Sequence, residues 1–478
     1  MNNKVKAIKG GKWVSVATGV SVLFQFLQIS IVARLLDPSS FGVVSISSLI
    51  IGFFSMFSNL GFNNSIIYKQ EEDRKVLSSL YFLNIALGVL IFIIIYLLAP
   101  FVSSFYNEEN LATIVRIASF FFLIVYFGQI YSILMQKELR FRTSALIDIA
   151  SVVIGTISTV ILAYKGFEEY SLIYGQLINQ LFKTGALMIF GHDLFKPMMH
   201  FKFREVRDHL KFGIFNFADG IVGYIQSNSD NLLIGKILGV KILGYYTLAL
   251  QLAVFPISRI NPIILQVVYP IMAKMKNDKT GVKRAYIQIL DFISYFNIPL
   301  LAGLFITADT VVPLVYGPGW EPTIHLIRIV VLAAACMCLA HPLFTLAFSN
   351  GKPNIMFYLN VCTLVVKVPL VLILGKYALA DGVAWAVVLA TFTNLVVNFV
   401  VVRSFIGNFF GDFFKNFGMT ILFSCAMMAG VYFYKLNFGY EGLMHAIVEV
   451  GLGAAIFLAL TLLFKVKFRD IKSFYKLI

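Results

Sequence analysis

The chain has 478 residues, of which 59% are hydrophobic and only 13% charged, with a mean hydropathy of +0.84. A soluble domain carries about 25% charged residues, so water is not the main solvent and little sequence is left for a soluble domain. The net charge of +15, from 39 basic and 24 acidic residues, lies largely in short connections, which points to anionic lipid head groups and away from nucleic acid.

A bilayer core takes roughly 20 apolar residues per helix. In chain order, apolar windows predict helices near 13–35, 41–66, 76–99, 111–136, 143–164 and 170–190, then near 210–236, 242–268, 285–307, 323–349, 354–376 and 380–402. Two more follow near 412–433 and 442–464. The expected fold is therefore all-α and integral to the membrane, with about 14 transmembrane helices. The first begins near Lys12 without a small-residue cleavage pattern, so it is expected to be retained in a mature chain starting at or near Met1. Cys336, Cys338, Cys362 and Cys425 all fall in apolar stretches and are expected to be small buried residues without a disulfide or metal framework.

Lys and Arg in short loops set orientation. Counted by connection, 28 lie on the side of the N-terminus and C-terminal tail and 6 on the other. Both termini are thus predicted to be cytoplasmic.

The first and seventh helices end alike. RLLDPSSFGVVS, from Arg34 to Ser45, aligns with KILGVKILGYYT, from Lys236 to Thr247, at an offset of 202 residues, with Gly42 opposite Gly244. A second echo pairs TIVRIA around Arg116 with LIRIVV around Arg328, in the fourth and tenth helices. Fixed-period similarity marks a structural repeat. Residues 1–200 and 201–405 are accordingly expected to form two parallel six-helix lobes related by a pseudo-twofold along the membrane normal. Residues 406–478 add two helices and a basic tail. Two such lobes enclose a central cavity that opens to alternate sides when they rock.

Ionisable side chains in a bilayer cost a few kcal/mol each on insertion scales, so each marks a candidate site. In the seventh helix Asn216, Asp219, Gly223, Gln226 and Asp230 recur at three- and four-residue steps and form one polar stripe. The first helix repeats this with Ser15, Thr18, Ser21, Gln25 and Gln28. Both stripes are expected to line the cavity, the competing reading being interhelical hydrogen bonding that only joins the bundle. Arg34, Arg116, Arg259, Arg328 and Lys367 are the candidates for binding an anionic cargo, because Arg presents a fork of donors to phosphate oxygens and Lys a point charge. For each, the alternative is snorkelling or pairing with a membrane carboxylate. Asp230 and Asp219 are candidates for a coupling H+ or Na+. His325 and His341 are weaker proton carriers, better read as capping or structural. No phosphate-binding Gly-rich loop with Lys and no HExxH motif occurs.

Several segments then point to one family. GGKWVSVATG, IVARLLDPSSFGVVS and NLGFNNSII at the start, QKELRFR from Gln136 to Arg142, and SDNLLIGKILGVKILGYYTLA followed by VVYPIMAKMKND resemble the Wzx-type polysaccharide flippases. The similarity is close to the branch serving colanic acid and other exopolysaccharides, runs over about residues 10 to 285, and is vaguer beyond. The superfamily also holds drug/cation antiporters and the peptidoglycan lipid flippase. The resemblance implies a cargo of undecaprenyl-diphosphate-linked oligosaccharide, turned from the cytoplasmic to the periplasmic leaflet of the bacterial inner membrane, with polymerase and chain-length proteins as candidate partners. In the peptidoglycan lipid flippase the seventh helix gives an aspartate to a Na+ site, and the D-x-L-L pattern puts Asp230 there. Thr391, Asn394 and Asn398 are further ion-coupling candidates on polarity alone. Within transporters the alternative is a drug/cation antiporter, which the membrane Arg and Lys residues disfavour. A membrane glycosyltransferase or O-antigen polymerase would need a sizeable outer loop with catalytic residues, and the connection from Ala308 to Pro322 carries only Asp309 and Glu321 as charges.

Overall fold

The computed structural model describes residues 3–58, 62–275, 278–352, 354–439 and 441–464, with the side chains of 3–9, 58, 62–64, 208–219, 263, 266, 267 and 270 outside the description. The helices in chain order are α1 Asn3–Ala33, α2 Pro38–Ser58, α3 Phe62–Lys69, α4 Arg74–Tyr106, α5 Glu109–Lys137, α6 Phe141–Tyr164, α7 Glu168–Gly191 and α8 Phe203–Ile237. They continue with α9 Val240–Lys274, α10 Lys279–Tyr316, α11 Glu321–Ala340, α12 Pro342–Ser349, α13 Asn354–Ile406, α14 Phe410–Phe438 and α15 Leu443–Phe464. No strand occurs among the described residues.

The fold is all-α, with 11 helical stretches long and apolar enough to cross a membrane among the described residues. The difference from fourteen has a physical origin. α7 and α8 are long but carry too many polar residues to count, and α13 runs through two of the predicted windows. Its 53 residues would reach about 80 Å at 1.5 Å per residue. It breaks at Ala378 and Leu379, the latter with φ 49°, a left-handed value unusual for a branched aliphatic residue. Gly382 follows, where a Cβ would meet the Leu374 carbonyl, so only glycine lets the two arms close.

The described residues group into two compact units, Met1–Gly244 and Tyr245–Ile478. In the first, α4 packs on α5, α6 on α7 and on α1, and α8 on α2, α3 and α4. Helix association in lipid lacks a hydrophobic drive and depends on close packing at small residues. Gly155 sits against Asn179, Gly175 against Thr159, and Gly88 against Tyr126, each where a Cβ would displace its neighbour. In the second unit α10 is central, touching α11, α13, α14 and α15. Asp73 caps α4 by accepting from the Lys75 amide at 2.8 Å, and Asp278 caps α10 by accepting from the Gly281 amide at 2.9 Å.

Not all cysteines are buried. Cys338 is, Cys336 is half-buried, and Cys362 and Cys425 are exposed on the helix surface, as a lipid-facing position permits. All four are free thiols.

Candidate functional site

In the first unit the α1 stripe is mostly spent locally. Ser15 and Thr18 donate to the Gly11 and Val14 carbonyls one turn back, at 3.0 and 2.9 Å. Gln28 accepts from Thr156 of α6 at 3.1 Å, which ties α1 to α6. Ser21 is half-buried and Gln25 exposed. Of the α8 stripe, Asn216 and Asp219 lie outside the described residues. Gln226 is half-buried, and Asp230 is 1% exposed. The carboxyl-terminal part of α8 is anchored by Tyr224, donating to the Leu49 carbonyl at 2.7 Å, and by Tyr106, donating to the Leu232 carbonyl at 3.4 Å. Lys236 donates to the Phe105 carbonyl at 2.6 Å and lies over its ring.

The donor set on α8 suits a hard cation. Asp230 is a buried carboxylate that already takes part in an interaction, and the adjacent Asn231 has a buried Oδ1 with no donor, so oxygen atoms of the kind Na+ takes are present. The α13 group suits it less. Asn394 Oδ1 accepts from Asn398 Nδ2 at 2.9 Å, and Asn394 Nδ2 donates to Thr363 Oγ1 at 2.5 Å. Thr391 donates to the Val387 carbonyl at 2.8 Å. Lys367, one turn beyond Thr363, is 3% exposed and adds a cation to that face.

The basic candidates fall into different settings. Arg34 and Arg259 are exposed, the latter over the Phe255 ring at 5.7 Å. Arg116 of α5 lies over Tyr96 of α4 at 5.3 Å, with its Nε buried and unpartnered. Arg328, on α11, reaches to α10, where it pairs with Asp309 at 3.3 Å. The two arginines thus address the preceding long helix in their own units, one through an aromatic face and the other through a carboxylate.

Arg328 belongs to a larger cluster. Lys435 of α14 pairs with Asp309, donates to the Ile306 carbonyl at 2.7 Å, and lies 3.5 Å from Glu449 of α15. Glu449 is fully buried and accepts from Thr310 at 2.9 and 3.0 Å. A second polar group joins Asn261 of α9, Asn297 of α10 and His341 at the α11–α12 junction. His325 instead faces Asp381 at 3.1 Å on an exposed surface. Sequence reasoning missed the Asn261 group because its members lie on three helices, and its one local signal is the His341–Pro342 step. It also missed Glu169, buried at the start of α7, which accepts from Ser40 at 3.3 Å and Asn110 at 3.5 Å.

A cleft of about 370 Å³ opens where α10 and α14 begin, lined by Lys283, Arg284, Asp291, Asp412 and Asn416 among others.

A helical membrane chain with paired long helices, a broken α13 and charges buried between helices is a multi-pass transporter-like protein. The profile of the family described as polysaccharide biosynthesis protein matches residues 31–325, and the chain belongs to that family. It is 30% identical over 401 residues to the lipopolysaccharide biosynthesis protein WzxC of Escherichia coli K12, covering 84% of this chain and 82% of the relative. The teichuronic acid biosynthesis protein TuaB of Bacillus subtilis is 27% identical over 73% of each chain. Among solved structures, the lipid II flippase MurJ in an inward closed conformation superposes with a TM-score of 0.77 at 16% identity, over 96% of this chain and 99% of that one. An inward-facing multidrug resistance MATE transporter of the MOP superfamily gives 0.64 at 16% identity, over 81% and 94%. These likenesses establish the fold.

Proposed function

We propose that the protein flips an undecaprenyl-diphosphate-linked oligosaccharide from the cytoplasmic to the periplasmic leaflet of the bacterial inner membrane, as a transporter and not an enzyme. The observation that carries this reading is that a member of the polysaccharide biosynthesis family has the fold of a lipid II flippase along 96% of its length. The excess of Lys and Arg on one side of the helices supports cytoplasmic termini. Candidate partners are bilayer lipids and the polymerase and chain-length proteins that act on the exported glycan.

In this mechanism the lipid tail stays in the bilayer while the diphosphate and sugars cross on polar side chains. Arg34, Arg116, Arg259, Arg328 and Lys367 are the cationic candidates for the diphosphate, and Arg328 is paired with Asp309. A cation gradient drives the cycle. Asp230 and Asn231 would hold the ion, which supplies the charge that distinguishes loaded from empty states.

Proteoliposomes test this. The purified protein with the fluorescent lipid-linked repeat unit is expected to move the glycan between leaflets, and a strain lacking its own exporter is expected to regain surface polysaccharide. The MATE likeness motivates one competing reading, a drug/cation antiporter. Efflux of cationic dyes without glycan movement would favour it.

A further inference from the structure

Pro342 opens α12 and has no backbone N–H, so the Cys338 carbonyl four residues earlier loses its helical donor. Asn261, fully buried on α9, replaces it. Its Nδ2 donates to the Cys338 oxygen at 3.4 Å and lies 3.1 Å from His341 Nδ1. Its Oδ1 accepts from Asn297 Nδ2 at 3.0 Å, and Asn297, also fully buried, donates to the Ile293 carbonyl at 2.9 Å.

The histidine tautomer follows from these partners. A carbonyl only accepts, so the end of Asn261 facing Cys338 is its NH2 group. The Ile293 carbonyl fixes Asn297 in the matching sense, even though this leaves Asn297 Oδ1 buried without a donor. His341 Nδ1 therefore faces N–H and presents its lone pair, which puts the ring proton on Nε2. A proton on Nδ1 would set donor against donor. Asn261 cannot turn over to relieve this without abandoning both Cys338 and Asn297. Asn261 of α9 meets the Nδ1 edge, with Asn297 of α10 and the Cys338 carbonyl of α11 bound to Asn261 in turn, and the Cys338 thiol donates to the Ala335 carbonyl at 3.1 Å.

The opposite edge of the ring carries an N–H, and His341 is exposed within the stretch Glu321–Ser349 that is apolar enough to span the membrane. Lipid offers an imidazole N–H no acceptor. We propose that His341 is a fixed neutral hydrogen-bond donor to an oxygen of the transported lipid-linked glycan, on its diphosphate or its sugars, with Asn261 and Asn297 as positioning residues. It is then a cargo contact and not a proton carrier. The ligand assignment rests on the flippase reading above, whereas the tautomer does not.

The full-length protein, labelled with ¹⁵N-histidine in nanodiscs, provides the test, with His341→Gln identifying the His341 signals. The expected spectrum has Nδ1 unprotonated and Nε2 protonated on both sides of the ordinary imidazole pKa of about 6.5, and Asn261→Ala restores ordinary titration. A wild-type ring that titrates normally overturns the proposal. Undecaprenyl diphosphate and the complete repeat unit are then added separately. A shifted Nε2–H signal with both assigns the diphosphate, a shift with the repeat unit alone assigns the sugars, and a shift with neither overturns the donor role. In export assays His341→Gln, which retains an N–H, is expected to stay near wild type and His341→Phe to fall about tenfold, the worth of one such bond. Unchanged export by His341→Phe also overturns it. Wild-type protein that keeps the fixed tautomer but neither binds nor flips the glycan refutes the flippase reading and, with it, the ligand assigned here.

Discussion

Gly42 and Gly244 each lie against the other's helix start: a Cβ on Gly42 would strike the Val240 carbonyl, and one on Gly244 the Pro38 carbonyl. Pro38 and Val240 are themselves partners at the 202-residue offset that relates the two glycines. The starts of α2 and α9 therefore make this contact reciprocally. All four residues lie within the first compact unit. Two backbones touch where neither glycine has a side chain.

That symmetry makes Gly42→Ala and Gly244→Ala comparable in effect. Each forces backbone apart from carbonyl, at the about 1–3 kcal/mol typical of overpacking. The double variant should cost less than the sum, because one separation relieves both clashes. Thermal unfolding in detergent measures all three. A Gly244→Ala protein as stable as wild type would show that the close approach is not required.

The buried cluster on α10, α14 and α15 makes a different prediction. Glu449→Ala leaves Lys435 with Asp309, which Arg328 already shares, in a site where Lys435 is 7% exposed. Breaking a buried pair from one side typically costs about 3–5 kcal/mol, whereas replacing both charges by apolar groups is often near neutral. Lys435→Met combined with Glu449→Leu is therefore expected to unfold at a higher temperature than Glu449→Ala alone. The reverse order would mean that the charges act independently.

Most of the helices were legible because a bilayer demands long apolar windows, and those windows are a property of local sequence. The polar faces were only half legible. Spacing grouped Gln28 with its stripe, but it could not reveal that the amide faces Thr156, 128 residues away. Arg328 shows the same limit, since Asp309 sits on another helix and looked like a loop charge. Asn261 and Asn297 carry no periodic signal at all, and their role appears only when Pro342 is seen to leave a carbonyl without a donor. Exposed Cys362 and Cys425 show that "apolar" in lipid does not mean buried.

The connection between α7 and α8 is expected to loosen in acid. Arg140 holds the Asp193 carboxyl below the usual range, and His200, with Ser79, does the same for Glu205. Carboxyls depressed on folding add stability above their unfolded pKa and lose it as pH falls through the folded value. The Met198 and Lys202 amides donate to Ser78 and Ser79 at 3.0 and 3.2 Å, so they report on the docked segment. Hydrogen exchange, corrected for its intrinsic pH dependence, should show their protection constant near neutrality and falling below the ordinary carboxylate range. Arg140→Ala removes what depresses Asp193, so protection should be lower near neutrality and fall less with acid, and an unchanged fall would exclude Asp193 as its source.

Arg259 and Lys367 separate binding from structure most cleanly among the cationic candidates. Arg259 is exposed, so Arg259→Ala should leave protein levels and unfolding temperature near wild type while blocking glycan export. Arg259→Lys should recover part of it, since an ammonium keeps the charge but loses the planar fork that matches phosphate oxygens. Lys367 is 3% exposed beside Thr363 and the Asn394–Asn398 pair, so Lys367→Ala should block export and lower stability together. Lys367→Met, which keeps the stem and removes the charge, isolates the second effect: restored stability without restored export assigns the ammonium to transport. Export by Lys367→Met at the wild-type rate would make Lys367 a packing residue and leave Arg259 as the stronger candidate for the diphosphate.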